Sequence, residues 1–125
     1  MIDTILLGRN LHEVKQALQT YAGYIDVFLA NNRDYSYVLI DSENRVCEIA
    51  EKIVVSNLAT SGLYGFGSAE LFQKFAQVED IYISAVFKKL IGANYTVVVG
   101  AKHKEVDTIV LGTPAEYMNA SVNLL

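Results

Sequence analysis

One cysteine, one proline and two histidines in 125 residues leave little room for several common chemistries. A lone thiol, Cys47, cannot staple a fold, and no cysteine or histidine cluster shows zinc-ligand spacing. His12 and His103 stand far apart in the chain and in no recognisable catalytic pattern. A reducing, cytoplasmic setting is the expectation. No apolar run approaches the roughly 20 residues that a membrane span requires. The opening "MIDTILLGRN" also lacks the basic flank of a signal peptide. Positive charge is short as well: Lys and Arg number 10 against 14 Asp and Glu, for a net charge of −4 and a pI near 5.0. Nucleic acid and anionic membrane are therefore excluded as expected partners, since both need clustered cations. The nearest cluster, Lys88-Lys89 with Lys102 and Lys104, reads as ordinary solvated surface in its first pair. There is no GxxxxGK[ST] loop, no GxSxG elbow and no paired-histidine metal motif.

What is present is a folded composition, 52% hydrophobic and 19% charged, long enough for one domain over residues 1–125 and its core. "TILL" reads as a short buried strand that Gly8 breaks. Asn10 caps a helix over "NLHEVKQALQTYA", with Glu13 at the capping-box position, an apolar face of Leu11, Val14, Leu18 and Tyr21, and Gly23 as its stop. "YIDVFLA" is a strand, "NNRD" a turn, and "YSYVLID" with "VCEIAEKIVV" a hairpin about "SENR" whose second arm bends near Glu51. On that arm the alternation around Cys47 marks a structural cysteine of a strand in preference to a nucleophile. "TSGLYGFG" is a further strand whose glycines permit close approach to the backbone. Helices follow over "AELFQKFAQ", capped by Ser68 with Leu71, Phe72 and Phe75 on one face, and over "ISAVFKKLIG", with Ile83, Val86, Phe87, Leu90 and Ile91 inward. "YTVVVG" and "EVDTIVLG" read as strands, and "TPAE" opens a last helix with Thr113 as cap, Pro114 first and Glu116 closing the box. This order predicts a layered α/β domain with a mixed sheet.

Three features hold chemistry. "GLYGFG", residues 62–67, has the glycine content of a phosphate loop but not the GxGxxG spacing, and its Leu63, Tyr64 and Phe66 suit a strand. Glu51 and Lys52 are neighbours near a strand, where successive side chains face opposite sides. One of them then points toward a covered face, and an unpartnered buried charge is costly. Either the chain bends and leaves both in water, or the carboxylate meets ligand hydroxyls and the ammonium a phosphate. Asn57 divides in the same way, between a turn residue and an amide that holds a polar ligand.

"YSYVLIDSENRVCEIAEKIVVSNLATSGLYGFGSAELF", then "IYISAVFKKLI", then "VLGTPAEY", resembles the second half of sugar-phosphate nucleotidyltransferases, in particular the short kind that supplies capsular and other surface-polysaccharide precursors. The likeness runs from about Tyr35 to Tyr117 and rests on the order and spacing of its motifs. It implies a Rossmann-like mixed β-sheet flanked by helices, a truncated, GT-A-like nucleotidyltransferase half. It also implies a sugar-phosphate pocket. Carried over by position, Glu51 binds sugar hydroxyls, Lys52 neutralises the phosphate, Asn57 and the backbone near Thr60 and Gly62 line the pocket, and Ser36 stands beside the sugar.

The family's glycine-rich nucleotide loop, Gly-x-Gly-x-Arg followed by Lys, is not in this sequence. Where the resemblance places a Mg²⁺-binding Asp at the end of the first strand, Arg9 or Asn10 stands, and Val110 and Leu111 occupy the region of the second carboxylate. The proline expected after Lys52 is absent. Mg²⁺ needs hard anionic oxygens, and nucleotidyl transfer depends on that charge. The expectation is therefore a nucleotidyltransferase-like domain with no catalytic residues and no cofactor of its own, binding a sugar phosphate or a partner chain. Mg²⁺ enters only if an N-terminal half completes it. Two other readings stand: a component of an active sugar-1-phosphate nucleotidyltransferase making a nucleotide sugar, and a purely structural interaction scaffold. A half-domain also leaves an open sheet edge and apolar surface, so a homodimer or higher oligomer, or a complementary nucleotidyltransferase half, is the expected partner.

Overall fold

Alternation and helical periodicity translate into the expected succession of elements across residues 4–77 and 82–110, which the computed structural model describes. Strand β1 (Thr4–Leu6) leads through Gly8, at φ 70°, into α1 (Leu11–Thr20). The Asn10 side chain caps that helix, accepting the His12 N–H at 3.0 Å. Strands β2 (Gly23–Leu29), β3 (Tyr37–Ile40), β4 (Val46–Ala50) and β5 (Leu58–Phe66) follow. Then come α2 (Ala69–Phe75), capped by Ser68 as expected, α3 (Ile83–Gly92) and β6 (Val97–His103). A single 3₁₀ turn, Glu105–Asp107, precedes β7 (Thr108–Val110). The helix expected from Thr113, with Pro114 and Glu116, lies outside the described residues.

Five strands form one mixed sheet in the order β4-β3-β5-β2-β6, with β6 parallel to β2 and the other neighbours antiparallel. Strands β1 and β7 form a separate antiparallel pair. The main core lies under α3. Ile25, Val27, Val38, Ile49, Val97 and Val99 pack there against Phe87 and Leu90. Phe66 stacks on Phe87 with ring centroids 4.7 Å apart. On the opposite face Tyr24 and Val98 meet Val14 of α1, because successive strand residues alternate sides. A third cluster, Phe28, Ala30, Tyr37 and Ala59, closes one end of the sheet.

Several expectations change. Gly23 does not end α1, which stops at Thr20; it opens β2, where a Cβ would lie 2.8 Å from the Phe87 ring. The glycine serves close packing instead of helix termination. Of the expected α1 face only Val14 is buried, while Leu11 is 66% and Tyr21 39% exposed. The second hairpin arm ends at Ala50 and does not continue bent through Val55: Lys52 adopts φ 55°, which no strand can hold. Cys47 is on a strand as expected but is exposed, its Sγ 3.8 Å from the Arg45 carbonyl. The expected strand over "EVDTIVLG" begins only at Thr108, the preceding three residues coiling into the 3₁₀ turn.

The β3–β4 hairpin turn has a further role. Asp41 accepts the N–H groups of Glu43 and Arg45 through Oδ1, at 2.8 and 3.0 Å, and Asn44 takes φ 63°. The Asn44 carbonyl then accepts the Val99 N–H at 3.1 Å, beside an Arg45–Val98 bridge. The turn thus curls over and covers part of the outer edge of β6, as proteins do with strands that would otherwise recruit another chain.

Candidate functional site

The turn after β4 lies against the first turn of α3. Ala50 is buried, and the chain reverses at Glu51-Lys52. This reversal sends the half-buried Glu51 toward the helix and Lys52 into solvent. The Ser84 hydroxyl donates to Glu51 Oε2 at 2.9 Å. Ser84 itself is only 4% exposed. Lys52 is the one lysine among the described non-glycine residues with positive φ, the others being Asn44 and Asn94, a residue type that tolerates this region.

Along β5 the same face carries Thr60 and Tyr64. The Tyr64 hydroxyl donates to Thr60 Oγ1 at 3.2 Å, and its ring tilts against Phe87. Burial above all raises the Tyr64 phenol from its ordinary value; the bond to Thr60 lowers it, and the Glu51 charge raises it further. Tyr64 therefore stays a neutral hydroxyl at physiological pH and lies within electrostatic reach of the carboxylate. The Thr60 N–H donates to the Ser36 carbonyl at 2.8 Å, which fixes Ser36 beside it. Glu51–Ser84 and Thr60–Tyr64 are thus two hydrogen-bonded pairs, the Glu51 charge being felt at the Tyr64 phenol, and Ser36 joins Thr60 through its main-chain carbonyl. Such groups can hold a polyhydroxy ligand.

The other expected residues sit apart from this chain of contacts. Asn57 is exposed, and its carbonyl accepts the Ala30 N–H at 3.1 Å, a sheet bond at the start of β5. Gly62, exposed at φ 99°, lies in a bulge where β5 and β2 slip register between Ile25 and Val27. No side chain but glycine's takes that conformation cheaply. An apolar groove of about 370 Å³ between α1 and the end of β5, lined by Leu11, Val14, Leu18 and Phe66, involves none of the expected residues.

A second polar cluster occupies the opposite face, where both neighbours of β2 are bulged around Asp26. Asp26 is 1% exposed. Its carboxylate accepts Arg9 Nε at 3.3 and 3.1 Å and the Ser61 hydroxyl at 2.5 Å, with His103 Nε2 3.6 Å away. Arg9 is equally committed. Nη1 donates to the carbonyls of Leu7 and Asp107, at 3.0 and 2.6 Å, and Nη2 to Thr108 Oγ1 at 2.6 Å while also 3.1 Å from Asp26. This guanidinium ties the β1–β7 pair to the main sheet.

That network answers whether a metal fits where the resemblance expects one. Arg9 puts a buried positive charge there, already spent on Asp26, and Asn10 uses its side-chain oxygen as a helix cap. A second cation there would meet the Arg9 charge, and the Asp26 carboxylate is already taken up by Arg9 and Ser61. Among the described residues, no group of three or more His, Cys, Asp or Glu side chains could hold a metal ion. Among the described residues, Arg9 and Asn10 do not fit Mg²⁺ at this place.

Sequence reasoning missed Tyr64 and Ser84 as site residues and Arg9–Asp26 as an ion pair. The signal for the pair was visible as a charge within the apolar strand "YIDVFLA", which demands a partner. Tyr64 and Ser84 carried no signal beyond their positions, because only packing brings α3 to the turn.

No protein-family model matches the sequence, and no curated protein matches it. Solved structures do. The chain superposes on a nucleoside-diphosphate-sugar pyrophosphorylase from Vibrio cholerae with a TM-score of 0.78 at 22% identity, over 94% of this chain and 52% of that one. It superposes on the inositol-1-phosphate CTP transferase from T. maritima with a TM-score of 0.70 at 17% identity, over 98% of this chain and 51% of that one. The chain spans about half the length of each of these structures. The expected fold class, a mixed sheet flanked by helices that corresponds to half of a nucleotidyltransferase, is borne out.

Proposed function

We propose that this chain is a nucleotidyltransferase-like module that binds a sugar phosphate at the Glu51–Thr60 patch and does not transfer nucleotidyl groups by itself. The observation that carries the reading is the pair Glu51–Ser84 with its charge felt at the Tyr64 phenol, which is itself bonded to Thr60. Glu51 accepts sugar hydroxyls there. The exposed Lys52 ammonium offsets a phosphate, and Asn57 and the Gly62 bulge border the approach. The Arg9–Asp26 pair supports the second half of the proposal, because it fills with a neutralised cation the place where a divalent ion would act. The ligand is a precursor of a surface polysaccharide, and the setting is the cytoplasm.

Calorimetric titration with glucose 1-phosphate and with inositol 1-phosphate tests the pocket. Binding at millimolar ligand that Glu51→Ala and Lys52→Ala each weaken supports it; no heat with the wild type overturns it. A pyrophosphate-release assay tests the catalytic half, and Mg²⁺-dependent turnover by the purified chain alone would refute it.

A second reading is favoured by one specific observation, the coverage of only half of each matching structure. In it the chain is a component of an active sugar-1-phosphate nucleotidyltransferase, completed by a complementary half that brings the nucleotide loop and Mg²⁺. Exposed apolar side chains, among them Leu29, Ile53, Val54 and Val106, suit either that partner or a second copy of the chain, and a homodimer or higher oligomer is the form we propose for the isolated protein.

A further inference from the structure

Two independent oddities meet at the turn after β4: a lysine in the left-handed region and a carboxylate tied to a nearly buried serine on a different element. A left-handed lysine costs free energy, and such strain persists only where surrounding contacts over-determine it. Next to it, Ser84 Oγ donates to Glu51 Oε2, 2.9 Å across 33 residues of sequence. Ser84 is the second residue of α3, whose N-cap, Tyr82, makes no side-chain cap bond. The Glu51 carboxylate therefore rests at the positive end of a helix. No other hydrogen bond or ion pair involves Glu51 among the described residues, so Oε1 keeps its lone pairs for a ligand.

From this geometry we infer that Ser84 is a positioning residue for ligand binding: it locks one oxygen of Glu51, and with it the strained Lys52 turn, so that the other oxygen and the ammonium are preset for a phosphorylated polyol. This rests on the sugar-phosphate reading of Glu51. Preorganisation adds affinity by removing the ordering cost that a free carboxylate bears on binding. A hydroxyl donating to a charged acceptor is worth about tenfold in an equilibrium constant.

The test is calorimetric titration of glucose 1-phosphate into wild type, Ser84→Ala, Ser84→Cys and Ser84→Thr, with a thermal melt of each sample. The inference expects the alanine and cysteine variants to bind about tenfold more weakly, the threonine variant, which keeps the hydroxyl, to bind as the wild type does, and all melts to stay cooperative. Rescue by threonine is what a merely structural role would not give. A folded alanine or cysteine variant with wild-type affinity overturns the inference and leaves the sugar site standing, as does a threonine variant no better than alanine. Absence of binding by the wild type overturns the sugar site and this inference together.

Discussion

Removing the Asp26 carboxylate is the sharpest perturbation that the structure offers. In Asp26→Ala the Arg9 guanidinium, with a side chain only 5% exposed, loses its counter-ion, and the Ser61 hydroxyl loses its acceptor at 2.5 Å. Breaking one member of a buried ion pair costs about 3–5 kcal/mol, mostly as desolvation left uncompensated on the survivor. That is a large share of the roughly 5–15 kcal/mol that holds a domain together. With an unfolding entropy of about 2.1 cal/mol/K per residue, a chain of this size loses about 4 °C per kcal/mol, so the melting temperature should fall by about 10–20 °C. Circular dichroism melts at neutral pH read this directly. A companion, Arg9→Met with Asp26→Leu, removes both charges and should recover part of the loss, because replacing a buried pair by apolar groups is often near neutral. Recovery stays partial, since the carbonyls of Leu7 and Asp107 also lose their donor. A melt of Asp26→Ala within a degree or two of the wild type, or a double variant no better than the single, would refute the claim that this pair clamps β1–β7 to the main sheet.

Two other changes have definite signs. Lys52→Gly releases the left-handed strain at φ 55° and should raise stability by about 0.5–1 kcal/mol after glycine's own entropy cost, read as a melting temperature a few degrees higher; a drop would mean that the lysine side chain contributes more than its backbone costs. Tyr64→Phe bears on pH: burial holds the Tyr64 phenol above its ordinary 10.0, so the folded state keeps a proton that the unfolded chain gives up. Stability from this group is complete below pH 10 and declines as pH rises through the folded value, so urea midpoints should fall above about pH 10 and fall less steeply in the phenylalanine variant. Tyr24 and Tyr37, raised mainly by burial as well, leave a residual slope, and parallel alkaline limbs for the two proteins would contradict the assignment.

Periodicity and caps made most of the elements legible. The inward stripe of α3 needed only the spacing of Val86, Phe87 and Leu90, and the start of α2 only Ser68 before an apolar run, because such signals act within a turn or two of the chain. Ends were less legible where a single residue serves two masters. Gly23 has the chemistry of a helix stop, and only the approach of Phe87 from another element makes it a strand residue. Within the candidate site, the sequence offered Glu51, Lys52 and Thr60 by resemblance and could not supply Ser84, since the hydrogen bond that joins them spans two elements.

Composition, alternation and capping, all local properties of the chain, by themselves determined an α/β domain with a mixed sheet, poor in cations and without zinc-like spacing. Tertiary structure alone decided where the charges went. It buried Asp26 against Arg9, Ser61 and His103, turned Lys52 outward, and set Glu51 at the head of α3. The physical reason is that a charge is placed by the partners that make its burial affordable, and those partners lie 17 or more residues away in the chain, beyond the reach of any local pattern.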